Sequence, residues 1–321
     1  MFYNNLCSPF PARRELRAST EVALNKPIYL FLAWALPALA LSAAVPALAV
    51  AAAPPVVVSV KPVHSLVAGV MEGIAAPRLL ITGGASPHTY SLKPSDARAL
   101  AHAKIVFVVG GALESFLGKA LGALVQGGRL VELTALPGLA PAGRAGRGRG
   151  SMDPHIWLDV ANAKVIVATA ARVLEDADAA NGRHYAANAK RLLARLDGLD
   201  AELARLMAPV KDIPYVVFHD AYGHFERRYG LAATAALTVN PARPPGARHL
   251  GEVRRTMVAV GVRCAFGEPQ FRPALIDTLI EDTAVKVGVL DALGAAVPPG
   301  PDAYFRIMRD LARALAGCLS D

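Results

Sequence analysis

The chain has 321 residues, 54% hydrophobic and 19% charged, with 34 Lys and Arg against 26 Asp and Glu for a formal charge of +8. That length can bury a sizeable core as one large domain or two lobes. Setting aside residues 1–49 leaves 30 basic and 24 acidic groups, a charge of +6. Three of those basic groups, Arg144, Arg147 and Arg149, share one loop, so the balance excludes a nucleic-acid-binding surface.

The first 26 residues carry Arg13, Arg14, Arg17 and Lys26, and Ile28 to Ala44 is an uncharged apolar run. Ala47-Leu48-Ala49 then supplies a small-x-small site. Together these read as a Sec signal peptide over residues 1–49, cleaved after Ala49 or a few residues later. An uncleaved anchor is the alternative, because the run approaches spanning length; Pro37 and Pro46 argue against it. Cys7 leaves with such a leader, so Cys264 and Cys318 remain. In an oxidising compartment two such thiols are expected to pair, two buried free thiols being the alternative.

Past the leader, Pro55 to Val60 is a β-branched run and reads as a buried strand. A helix over 63–74, a strand at Leu79 to Ile81, and a helix over 96–103 with Ser95 as N-cap follow. Ile105 to Val109 is a strand, 112–125 a helix, and Arg129 to Leu133 a strand. Such alternation predicts parallel strands with crossover helices. Residues 137–150, rich in Pro, Gly, Ala and Arg, cannot pack a core and read as a loop. Val160 to Leu174 is a helix apolar on more than one face, and Tyr185 to Met207 is a long amphipathic one. Alternation then resumes, with strands at 215–218, 232–237, 263–267 and 286–290 and helices at 221–229, 248–260, 272–283 and 302–316. The fold class is α/β, two halves with parallel sheets joined by helices: residues 50–158, a linker helix over 159–178, and residues 179–321. Ligands of such sheets bind beyond the carboxyl ends of the strands, here in the cleft between lobes.

Of eight histidines, His64, His102, His184, His224 and His249 fall in or near predicted helices without a shared context. His88, His155 and His219 differ. Each sits at a strand end or helix start, roughly 65 residues from the next, where loops converge on one cleft. Three imidazoles brought together make most of a tetrahedral metal site.

The motifs around them sharpen this. His-x-Tyr-Ser-Leu-Lys-Pro-Ser-Asp at 88–96, Asp-Pro-His-x-Trp-Leu-Asp at 153–159 and Phe-His-Asp-Ala-Tyr at 218–222 resemble the metal-binding substrate-binding proteins of ABC importers, the cluster A-I family. Phe266-Gly-Glu-Pro-Gln-Phe271 and Leu290-Asp-Ala-Leu-Gly294 fit the same pattern, so the resemblance runs from about Val56 to Leu319. It implies two Rossmann-like lobes joined by a long rigid helix, best matched by Val160 to Asp176. It also implies a metal between the lobes and delivery to an inner-membrane permease and its ATPase, by a monomer in the periplasm. Zinc members of the family carry His at the third ligand position, where manganese members carry Glu; here it is His219. Three imidazoles suit zinc, whereas manganese prefers oxygen. The resemblance also matches Cys264 and Cys318 to a disulfide of many zinc members.

The fourth ligand stays open between Asp291, which matches an Asp that ligates manganese in relatives, and water. Pro87 stands where some zinc relatives have a ligating Glu. Glu268 is a weaker candidate, expected instead as a buried hydrogen-bond partner. Asp153, Asp159 and Asp220 are expected to orient the histidines or cap helices, and Trp157 to pack in the core. Residues 137–150 contain no His, Asp or Glu, so one zinc site and no loop site is expected. A manganese or iron carrier is the nearest alternative reading. A zinc hydrolase fits less well, since no HExxH pairing sets a base beside a ligand. Neutral imidazoles are required, so affinity should fall as pH drops through about 6.

Overall fold

The computed structural model describes residues 52–141, 153–243, 245–271 and 273–320. The leader and most of the 137–150 loop lie outside them. No helix among the described residues is long and apolar enough to cross a membrane.

The first lobe runs β1 (Val56–Val58), α1 (Lys61–Val70), β2 (Arg78–Leu79), α2 (Pro94–His102), β3 (Ile105–Val108), α3 (Gly118–Leu124) and β4 (Arg129–Glu132). The second contains β5 (Tyr215–His219), α6 (Gly223–Tyr229), β6 (Ala235–Thr238), α7 (Ala247–Ala259), β7 (Cys264–Gly267), α8 (Ala274–Ile280), β8 (Lys286–Val289) and α9 (Ala303–Leu319). Between them lie α4 (Val160–Ala177) and α5 (Gly182–Met207). The two sheets have the orders β2-β1-β3-β4 and β6-β5-β7-β8, and every pairing is parallel.

The period-2 alternation of strand side chains explains the layering. Val56 and Val58, Ile105 and Phe107, Tyr215 and Val217, and Cys264 and Phe266 all face one continuous central core. Their neighbours Val57, Val106 and Val108 face a smaller core under α2 and α3. Val216, Phe218 and Ala265 face another under α7 and α8. Both sheets therefore turn one apolar face towards a shared helical layer, where α1 meets α4, α5 and α9. Helix α5 buries Tyr185, Ala189, Leu192, Leu196, Leu199, Leu203 and Met207, a stripe at three- and four-residue steps. Its Asn188 donates to the carbonyls of Val70 and Glu72 at 2.9 and 2.8 Å, satisfying the C-terminal end of α1.

Several boundaries depart from the sequence expectation for identifiable reasons. Helix α2 begins at Pro94, not Asp96, because a proline at the first helical position sets the right φ and loses no hydrogen bond. The cap is not Ser95: the Asp96 carboxylate accepts from the Lys93 amide at 3.1 Å. The helix expected over 112–125 is reduced to α3 plus a 3-10 turn at Ser115–Leu117, since Glu114 folds back to accept from the Gly110 amide at 2.9 Å. The connection expected over 159–178 is followed directly by a longer helix. Helix α4 ends at Ala177 and the chain turns back through Asp178, which accepts from Asn181 and Tyr185, into the 26-residue α5.

Candidate metal centre

The candidate ligands of the second lobe stand at or just past the carboxyl ends of parallel strands. His219 is the last residue of β5, Glu268 follows β7 and Asp291 follows β8. His88 lies on the loop after β2, whose backbone is fastened by the His88 amide to Ser86 Oγ at 3.3 Å. His155 immediately precedes a 3-10 turn, Ile156–Leu158, that leads into α4. Asp159 caps that helix by accepting from the Ala161 amide at 2.7 Å, and pairs with Arg227.

The three imidazoles converge. Ligand-capable atoms of His88, His155 and His219 all lie within 4.8 Å of one another, and the Nε2 atoms of His88 and His155 are 3.4 Å apart. A tetrahedral zinc with Zn–N bonds near 2.0–2.1 Å sets nitrogen separations of about 3.3–3.4 Å, so this edge already has the required length. Carboxylates fix which nitrogen faces inward. His155 Nδ1 lies 2.8 Å from Asp153 Oδ1, which also accepts the His155 amide at 3.0 Å. His219 Nδ1 lies 3.5 Å from Glu268 Oε1. A proton held at each Nδ1 leaves the Nε2 lone pair free for a metal. His219 Nε2 is buried and has no hydrogen-bond partner, the condition of a ligand atom aimed into a metal position. The cavity between the rings is about 10 Å³, room for one water-sized group.

Burial also keeps the rings of His88 and His155 neutral. It pulls His88 down to about 3, with the neighbouring His155 and His219 adding to the effect and Asp153 opposing it. Burial likewise lowers His155, against the Asp153 carboxylate. Protons thus compete for these two rings below the ordinary imidazole range, rather than at the pH of about 6 expected from a free side chain.

Asp291 is engaged elsewhere and lies outside the three-histidine cluster. Its Oδ1 accepts from the amides of Leu293 and Gly294 at 3.1 and 2.8 Å and from Gln270 at 3.0 Å, and its Oδ2 from the Ala295 amide at 2.5 Å. Glu268 is the carboxylate that reaches the site, where it accepts from Tyr222 Oη at 3.0 Å as well as facing His219. Tyr222 sits three residues after His219 within the Phe-His-Asp-Ala-Tyr motif, a spacing that could have marked it. Trp157 is fully buried as expected, but also donates from Nε1 to the Ala292 carbonyl at 2.9 Å, tying the lobes together. His224 bridges the Asp153 carbonyl at 3.0 Å and Asn162 at 3.3 Å, a structural role. Cys264 and Cys318 form a disulfide.

Two parallel-sheet lobes with three imidazoles in the cleft define a metal-binding protein of the bilobed substrate-binding class. The family described as ZnuA, zinc-uptake complex component A, periplasmic, matches residues 56–318. The high-affinity zinc uptake system protein ZnuA of Brucella suis is 38% identical over 305 residues, covering 83% of this chain and 91% of its own. That of Yersinia pestis is 33% identical over 290 residues, covering 82% and 91%. Among solved structures, a zinc-bound ZnuA deletion mutant superposes with a TM-score of 0.74 at 25% identity, covering 84% of this chain and 99% of its own. This chain belongs to the ZnuA family.

Proposed function

We propose that this chain captures zinc in the periplasm through Nε2 of His88, His155 and His219, with water in the fourth position, and hands it to an ABC permease driven by its ATPase. The observation that carries the reading is the convergence of three imidazoles, two of them backed by carboxylates at Nδ1. Neutral nitrogen donors match zinc's tetrahedral preference. Relatives named as zinc uptake proteins cover most of the chain, and a basic leader with an apolar run and a small-residue site accounts for export by Sec cleavage near Ala49. A cavity of about 10 Å³ suits a single ion, which supports transport over hydrolysis. A monomer suffices because both lobes come from one chain.

Competitive titration of residues 50–321 against zinc and manganese, with His219→Glu in parallel, tests this. One tight zinc per chain, lost or shifted towards manganese in the variant, is the expected result. Tight manganese binding by the unaltered protein would overturn the zinc assignment, and no tight metal would overturn the site.

A further inference from the structure

Lys61, the first residue of α1, is 5% exposed, unusual for a residue type rarely buried without partners. Its ammonium crosses from the first lobe to the turn after β8 in the second. There it donates to the carbonyl of Gly294, to that of Val297 at 2.8 Å and to that of Ala295 at 3.3 Å. Three donors meet three acceptors, and among the described residues no carboxylate forms an ion pair with the charge, Asp291 attracting it only from longer range. The amides of the same stretch point the other way, onto Asp291, which collects Leu293, Gly294 and Ala295. One short piece of backbone is thus held between a cation on its carbonyls and an anion on its amides. The geometry demands glycine at 294: its φ is +66°, and a Cβ there would lie 2.4 Å from Ile307 Cγ1. Trp157 holds the adjoining Ala292 carbonyl, again from the first lobe. Ala292 and Leu293 line the metal cavity.

We propose that Lys61 is a specificity-determining residue: by fixing the 291–297 turn it keeps the Asp291 carboxylate on backbone amides and off the metal. This rests on the metal-capture reading above. A carboxylate with four donors must break charge-assisted hydrogen bonds to reach an ion. The cleft therefore offers three nitrogens and an open position. Zinc accepts that set, whereas manganese is disfavoured without further oxygen donors. Releasing the turn returns an oxygen ligand to the cleft.

The test compares zinc and manganese affinities, by competition with a chromophoric chelator, for the unaltered protein, Lys61→Met, Asp291→Asn and the double variant. Thermal melts confirm folding. In Lys61→Met the manganese-to-zinc affinity ratio should rise at least ~10-fold, and Asp291→Asn in that background should abolish the rise. Asp291→Asn alone should leave zinc affinity within about threefold. An unchanged ratio in a folded Lys61→Met overturns the inference. So does a tenfold or greater zinc loss in Asp291→Asn alone, an arm that decides the matter if Lys61→Met does not fold. If the unaltered protein binds no tight zinc, the metal-capture reading falls and this inference with it. Tight zinc with an unresponsive Lys61→Met removes this inference alone.

Discussion

The two lobes share a sheet order, yet they present their histidines differently. His219 ends a strand in the middle of its sheet, 3% exposed, paired across to Thr238, with Glu268 behind its ring. His88 rides on a loop, half-buried, and is fastened mainly through its backbone. The second lobe is also stapled, by Cys264 on β7 and Cys318 on α9. His219 on its strand and His155 against Asp153 are therefore held in place, and His88 is brought to them by a loop. A cleft that must admit and release an ion benefits from such inequality, because the loop-borne ligand can leave while the fixed one keeps its orientation.

The largest test of this comparison is removal of a ligand from each side. His219→Ala and His155→Ala should each weaken zinc binding on the order of 10³-fold or more, given the roughly 10–16 kcal/mol that a complete structural zinc site supplies. Titration by competition reads the loss; either variant retaining tight zinc would break the three-imidazole site. His88→Ala should cost as much in affinity but chiefly by faster dissociation, since its ring is carried by a loop and not by a strand. Equal dissociation rates for His88→Ala and His219→Ala would erase the distinction between the lobes.

Next in size is the staple. The disulfide joins cysteines 54 residues apart, so the chain-entropy account gives about 4 kcal/mol. At roughly 2.1 cal/mol/K per residue, that corresponds to about 7 °C in melting temperature for a chain of this size. Cys264→Ser with Cys318→Ser should show this drop while still binding one zinc. Loss of zinc stoichiometry would mean that the staple shapes the site itself.

The carboxylates come third. Asp153→Asn and Glu268→Gln should each lower zinc affinity about 10–100-fold. Asp153 should cost more, because it binds the ring of His155 at 2.8 Å and its amide at 3.0 Å, whereas Glu268 stands 3.5 Å from His219. The reverse order would show that the strand-borne histidine, not the one preceding the 3-10 turn, depends on its acceptor.

Much of this architecture is legible in the amino-acid sequence alone. The alternation of β-branched runs with helical spacing specifies both sheets, and the three motif-bound histidines specify the cleft. What stays hidden is set by contacts remote in sequence. Lys61 lies 233 residues from Gly294, and no local pattern announces that pairing. Asp291 matches a ligand by its motif, with water left open beside it; the conformation of its own following turn, with Gly294 at positive φ, engages its oxygens on backbone amides. Ser95 yields the helix start to Pro94, whose fixed φ outweighs a weak capping preference. The split of the 112–125 helix depends on where one buried carboxylate, Glu114, finds its donor.

Buried carboxyls also govern the smallest predicted effect. Burial holds His88, His155 and His64 below the ordinary imidazole value, so below about pH 6.5 the unfolded chain binds more protons than the folded one at these rings. Stability from them is present above that pH and declines as pH falls. Burial pushes Glu114 and Glu226 up to about 7. Between their ordinary value of 4.5 and about 7 the folded state holds the extra protons, and stability from these two rises as pH falls. Asp178, Asp200 and Glu202 are lowered and act below that window. Three imidazoles against two carboxyls should leave the metal-free protein only mildly destabilised between about pH 7 and 4.5. Glu114→Gln with Glu226→Gln should unmask the histidines and steepen the decline. Zinc should raise the whole curve without flattening it, because the bound ion holds His88 and His155 deprotonated, the state that burial already imposes on them in the folded chain. Melting curves of both proteins, with and without zinc, separate the contributions. A slope unchanged by the double variant would mean that the carboxyls ionise freely, and a slope steepened by zinc would mean that a ring of the cleft already binds protons in the metal-free folded chain.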